Sequence, residues 1–195
     1  DTHIHTSQDA NNPNVDYATL SIAINNGTHT ISNVISFNQG INTIEIPNVI
    51  VDNKIELAFV VDATGSMGDE LEFLKTELLD VVSRVKNGHS NSTVYTSSVF
   101  YRDEGDDYVT KLSNFTSDHT ETINFIKNQS AAGGGDFPEA VHTALDKTVN
   151  ELQWSTNAKT RIVFLLLDAP PHYEKAVIND LHNSILKSAE KGIKI

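Results

Sequence analysis

The chain has 195 residues and no cysteine. Disulfide cross-links and thiolate metal ligation are therefore excluded. Positive charge is scarce, and it is absent from one end. Residues 1–53 hold no lysine or arginine, and all 14 cationic residues lie from Lys54 onward. No run approaches the roughly 18 apolar residues that a membrane-spanning helix needs. No signal-peptide pattern opens the chain. The start, Asp1-Thr2-His3, reads as a mature or trimmed fragment of something larger. The net charge of -12 repels phosphate backbones, so nucleic acid is not an expected partner. Excess carboxylate is compatible with hard divalent cations, though most acidic proteins are simply soluble.

The shift in composition places a boundary near residues 52–54. Before it, residues 1–16 read as irregular, with His3 and His5 on a solvated terminus. Tyr17–Ile24, Thr28–Phe37 and Ile41–Ile46 read as strands, and Asn25-Asn26-Gly27 as a hairpin turn. This β-rich segment, 1–53, is expected to form a meander or part of a β-sandwich. Three strands so polar would be marginal alone.

From Lys54 strand and helix patterns alternate. Ile55–Val61 is nearly all apolar, which suits a strand covered on both faces of a parallel sheet. Leu71, Leu74, Leu78, Val82 and Val85 mark an amphipathic helix over 68–86. Thr93–Arg102 and Tyr108–Phe115 read as strands, antiparallel because the turn between them is short. Asp118 is placed to cap a helix running to about Asn128. A glycine-rich loop, 133–135, is expected to open a helix with Pro138 in its first turn. Arg161–Leu167 is a second buried strand, and Ile178–Ala189 lies in a last helix that Gly192 ends. The expectation is an α/β domain over 54–195, a doubly wound, mostly parallel, Rossmann-like sheet. The chain is expected to stop short of that fold's last strand and helix.

Both buried strands end in an aspartate, Asp62 and Asp168. Thr64 and Ser66 follow Asp62 at spacings of two, and Asp136 stands in the glycine loop. A doubly wound sheet gathers these loops at its carboxyl edge, where such folds place ligands. Asp62 alone is open to three readings: nucleophile, cap or ligand. With Thr64, Ser66, Asp136 and Asp168 it makes an oxygen-only donor set. Such a set suits Mg²⁺ first, then Mn²⁺ or Ca²⁺, rather than zinc or copper. Hydroxyls among the donors keep the charge low, so that an outside carboxylate would complete the shell.

The motif Asp62-x-Thr64-x-Ser66 resembles the signature of von Willebrand factor type A domains. The runs Asp62–Met67, Tyr101–Glu104, Gly134–Ala140 and Asp168–His172 together resemble the bacterial-type branch of that family. The resemblance implies a metal-ion-dependent adhesion site, with Asp62, Thr64 and Ser66 in the first loop and Asp168 in the third. Asp136 stands where adhesion-type members carry threonine, which adds negative charge. A divalent-cation-dependent module binding a protein or glycan ligand is the expected function, without enzymatic activity. The alternatives are a structural spacer of a surface or secreted protein and an aspartyl-phosphate phosphotransferase using Asp62. The aspartyl-phosphate motif wants a lysine where Ala63 stands. The expected location is extracellular, cell-surface or periplasmic, with intracellular relatives known in the branch.

Other polar residues receive structural expectations. Glu139 reads as a first-turn acid favoured by a helix dipole. Arg102 and Asp103 read as an ion pair, His172 as a surface-loop histidine, His142 as structural or solvated, and Trp154 as helix-end packing.

Overall fold

The computed structural model describes residues 19–25, 30–36, 51–88, 91–135 and 138–195. The chain divides into two units, Asp1–Ile50 and Val51–Ile195. In the first unit, β1 (Thr19–Asn25) pairs antiparallel with β2 (Thr30–Ser36). Register sets Leu20 against Ile35, Ile22 against Asn33 and Ile24 against Ile31. The expected third strand at 41–46, the hairpin turn centred on Asn26, and the His3/His5 terminus lie outside the described residues.

The second unit begins with β3 (Asp52–Asp62), a tight turn of 3-10 helix (Gly65–Met67) and α1 (Gly68–Gly88). Next come β4 (Thr93–Tyr101), β5 (Thr110–Leu112) and α2 (His119–Lys127). The last elements are α3 (Val141–Asn150), β6 (Ala158–Leu166), α4 (Lys175–Glu190) and β7 (Ile193–Lys194). They build one sheet of order β5-β4-β3-β6-β7. Only β5 runs antiparallel to its neighbour. It is shorter than the strand expected over 108–115, because only three residues pair with β4.

Strand β3 is central, and its near-continuous apolar run serves both faces. Ile55, Leu57, Phe59 and Val61 enter a core that also holds Leu71 of α1 and Ile123 and Ile126 of α2. Ala58 and Val60 enter the opposite core with Val141, Ala144, Leu145 and Val149 of α3. Period-2 alternation thus sorts one strand between two helical layers. Asp118 caps α2, its carboxylate accepting the Thr120 N–H at 3.0 Å. Trp154 packs edge-on to Phe115 with ring centroids 4.7 Å apart, and its indole N–H donates to Thr148 O at 2.8 Å.

The glycine-rich loop does not open a helix at Pro138. α3 starts at Val141, and before it Glu139 forms an isolated parallel bridge with Pro171. The Glu139 N–H donates to Pro170 O at 3.0 Å. That bond ties it to the loop after β6, so the chain stays extended where local signals favoured a helical turn.

Candidate functional site

Parallel pairing aligns the ends of β3, β4 and β6, so their following loops meet at one edge of the sheet. Asp62 is the last residue of β3 and is wholly buried. Its Oδ1 accepts the Thr64 N–H at 2.8 Å and the Thr64 hydroxyl at 2.7 Å. Among the described residues its Oδ2 has no hydrogen-bond partner. An unmet carboxylate oxygen in the interior is costly, since its hydration has been removed without replacement. Burial accordingly raises the Asp62 pKa; the Thr64 bonds oppose that rise, the Asp168 charge adds to it, and the nearby Tyr101 hydroxyl weakly opposes it.

Thr64 is buried and Ser66 is exposed, their hydroxyl oxygens 3.4 Å apart. Asp168, just past β6, is exposed and close enough to raise the pKa of Asp62 by repulsion. The structure therefore brings together Asp62, Thr64, Ser66 and Asp168. The expected fifth member, Asp136, lies outside the described residues. Among the described residues no three Asp, Glu, His or Cys side chains form a group able to hold a metal ion. A cation here would thus draw on hydroxyl oxygens as well as carboxylates. The donors present fit that requirement: a buried carboxylate with one open oxygen, two hydroxyls beside it, and no sulfur or imidazole among them.

The site rests on the end of β4 and on the loops after α2 and β4. Ala63 N–H donates to Tyr101 O at 2.8 Å, Gly65 N–H to Gly133 O at 3.1 Å, and Ala132 N–H to Ala63 O at 3.0 Å. Asp106 Oδ2 accepts the Gly134 N–H at 3.0 Å and the Asp103 N–H at 3.2 Å. Gly133 has φ +79, and a Cβ there would lie 2.3 Å from the Asp106 carboxylate. Glycine is thus required both by the left-handed backbone and by the approach of Asp106.

Two expectations about this loop are corrected. Arg102 does not pair with Asp103. It is buried, donates to Ala63 O at 3.1 Å and Ser130 O at 2.8 Å, and lies over the Tyr108 ring at 4.5 Å. A guanidinium with several donors serves the converging carbonyls of two loops better than one carboxylate. Asp103 instead meets His172, whose Nε2 lies 2.8 Å from Asp103 Oδ1. His172 is partly buried and joins the β6 loop to the β4 loop, so it is not a free surface histidine. His142 is buried on α3 as expected for a structural residue, with Nε2 3.9 Å from Glu104.

The motif reading passed over two residues at this edge. Tyr101 ends β4 wholly buried, and its hydroxyl makes no hydrogen bond among the described residues. It stands near the Asp62 carboxylate; burial first, then the Asp62 charge, raises the pKa of the phenol and keeps it neutral. Glu139 is buried too. A Cβ placed at Gly134 would lie 2.9 Å from Glu139 Oε1 and 3.0 Å from Thr64 Cβ, so these side chains flank one point. Both residues lie inside the runs Tyr101–Glu104 and Gly134–Ala140; their positions in those runs were the available signal.

Comparison with known proteins agrees with this architecture. The family model for the von Willebrand factor A domain matches residues 56–192. The chain is 36% identical over 126 residues to the putative ariadne-like RING finger protein R811 of Acanthamoeba polyphaga mimivirus, covering 64% of this chain and 12% of that protein. It is 31% identical over 120 residues to the alpha-protein kinase vwkA of Dictyostelium discoideum, covering 60% of this chain and 19% of that protein. The chain thus spans under one fifth of either relative. Four motifs in order, a mostly parallel sheet with helices on both faces, and a family match from β3 to the end of α4 converge: the chain belongs to the von Willebrand factor A domain family.

Proposed function

We propose that this domain binds one divalent cation at the carboxyl edge of its sheet and uses the loops around it to engage a protein partner. Asp62, Thr64, Ser66 and Asp168 would hold the ion, with Asp136 in the adjoining loop as a further candidate. Mg²⁺ suits the donor set best, and Mn²⁺ or Ca²⁺ would also be accepted. The bound ion would supply a Lewis-acidic point at which a partner's oxygen donor could anchor. The observation that carries this reading is Asp62, buried completely with one carboxylate oxygen bonded to Thr64 and the other open.

The relatives support a binding role. A similar segment occurs within a RING finger protein and within a protein kinase, and makes up a small share of each. A module carried by such different proteins fits partner recruitment better than a shared chemical step. We read the domain as a binding module and not as a catalyst. Protein is favoured over glycan as the partner.

The test is thermal melting and calorimetric titration with Mg²⁺, Mn²⁺ and Ca²⁺, for the wild type and Asp62→Ala. The wild type should be stabilised by the ion and the variant should not. A wild type that melts identically with and without all three ions would rule the reading out. Cation binding that makes no difference to capture of any partner would support the spacer alternative.

A further inference from the structure

Helix α1 carries apolar side chains on the side that its amphipathic pattern leaves to solvent. Leu71, Leu74 and Val85 pack into the core with β3 and α2. Phe73 is not part of that core and is 67% exposed, more than any other phenylalanine among the described residues. Val81, about two turns on, is 39% exposed. Every fourth residue follows one row along a helix, so Asp69, Phe73, Glu77 and Val81 share a line. Single apolar side chains on a surface are ordinary, and what distinguishes this row is the charge around it. Glu72 pairs with Lys75 and Asp80 with Arg84, each at 2.7 Å. Asp69, Glu70 and Glu77, one turn to either side of Phe73, form no ion pair among the described residues. Asp69 and Glu70 suit the positive end of the helix dipole, a local reason that does not reach Glu77. Residues 1–53 offer no lysine or arginine to these carboxylates, and a second copy brings a net charge of -12. Nucleic acid and anionic membrane are repelled as well. Such a row attracts a segment that presents lysine or arginine beside apolar side chains.

We propose that the outward row of α1, centred on Phe73, is a docking surface for a basic, amphipathic segment of another protein. Phe73 is the anchor: its ring is buried among the partner's apolar side chains, and a desolvated aromatic carries a large share of the affinity of such contacts. Asp69, Glu70 and Glu77 meet the partner's lysine or arginine side chains, which speeds encounter and fixes the register along the helix. Val81 extends the apolar contact by a further turn. The surface lies on the flank of the domain. It deepens the reading of the domain as a binding module, and it does not rest on a cation at Asp62.

The experiment is a fluorescence titration of the purified chain, in chelator and again in Mg²⁺, with a short synthetic peptide of leucine and lysine patterned as an amphipathic helix. A lysine–serine peptide of the same charge is the comparison. The chains are the wild type, Phe73→Ser and Glu77→Lys, with melting temperatures measured alongside. The wild type should bind the leucine–lysine peptide, and equally well in both buffers. Phe73→Ser should bind it about 30-fold more weakly, the scale of losing one aromatic anchor. Glu77→Lys should bind about tenfold more weakly at low salt, with a smaller difference at high salt. Both variants should melt with the wild type, because neither side chain belongs to the core. No binding of the leucine–lysine peptide by the wild type overturns the proposal. So does wild-type affinity in Phe73→Ser, or equal affinity for the lysine–serine peptide, since either would leave only unspecific charge attraction. Binding that needs Mg²⁺ would move the contact to the carboxyl edge and overturn it too. Sedimentation that finds the wild type dimeric and Phe73→Ser monomeric would give the row to a second copy instead. Absence of any cation effect in the melting test above leaves this proposal standing.

Discussion

Strand β3 buries two carboxylates, Glu56 near its start and Asp62 at its end, and they are treated oppositely. Glu56 is 1% exposed. Its two oxygens accept the Ser155 N–H at 3.2 and 3.0 Å, and Oε1 accepts the Ser155 hydroxyl at 2.6 Å. Lys54 Nζ stands 3.7 Å away. Lys54 itself donates to Ser155 Oγ at 2.8 Å, and Arg161 donates to Ser155 O at 2.6 Å. Asp62 is as deeply buried, yet keeps one oxygen open and has an acidic neighbour, Asp168. On the proposed reading the difference separates a structural carboxylate from a cation ligand. Glu56 pins the loop at 155 to the sheet, and its desolvation is offset by partners in place. Asp62 keeps an unmet acceptor, a state that persists where something else is to be bound.

The largest expected effect falls on the satisfied end. Glu56→Ala leaves the Ser155 donors without their acceptor inside the protein and should cost about 2–3 kcal/mol in chemical denaturation. That loss should be the same with and without Mg²⁺. A cation-dependent loss would break the contrast. At the open end, Mg²⁺ at about a hundred times its Kd should stabilise the wild type by roughly 2.7 kcal/mol. Asp62→Ala should abolish that gain, and Glu56→Gln should keep it where the variant folds.

Gly134→Ala sharpens the contrast at a smaller scale. Its φ of +78 is left-handed, and the new methyl would meet Glu139 Oε1 and Thr64 Cβ. Destabilisation of about 1–2 kcal/mol is expected, together with weaker Mn²⁺ binding. A stable variant with full affinity would show that the glycine loop is not packed against the site.

The smallest effect is one of sign. The folded-state pKa of Asp62 is raised, so in chelator its stabilising contribution is complete below the ordinary carboxylate range and is lost as pH rises through the raised value. Metal-free Asp62→Asn should therefore be slightly more stable than the wild type at neutral pH, and the two should converge in acid. With Mn²⁺ the order reverses at neutral pH, because the ion needs the carboxylate, and that protection should fade as pH falls. Melting across pH, with and without ion, checks both halves.

The sequence made much of the fold legible because period and run length are local. The apolar run 55–61 marks a doubly covered strand, and the three- and four-residue spacing from Leu71 to Val85 marks α1. Asp118 announces its helix through a capping bond that spans two residues. Local signals failed where distant chain intervened. Pro138 looked like a helix start, but the Glu139 bond to Pro170 keeps that segment extended. Arg102 and Asp103 looked like partners because they are adjacent, yet successive side chains leave an extended chain on opposite sides. Each found its partner across the fold, Asp103 at His172 and Arg102 at two carbonyls.

The same division applies to the site. Sequence alone determined that Asp62, Thr64 and Ser66 lie together, because one turn of backbone spans them; it placed Asp168 at the end of a second buried strand, whereas β6 stops at Leu166 and is only partly buried, with Phe164 exposed, as is Leu167 just after it. Only the tertiary structure decided that Asp62 is sealed from water with one oxygen open, and that Glu139 and Thr64 approach one point above Gly134. Burial and charge proximity are sums over every segment that packs at a point. No spacing within one segment encodes them, which is why the open Asp62 oxygen arises only where β3, β4 and β6 lie side by side.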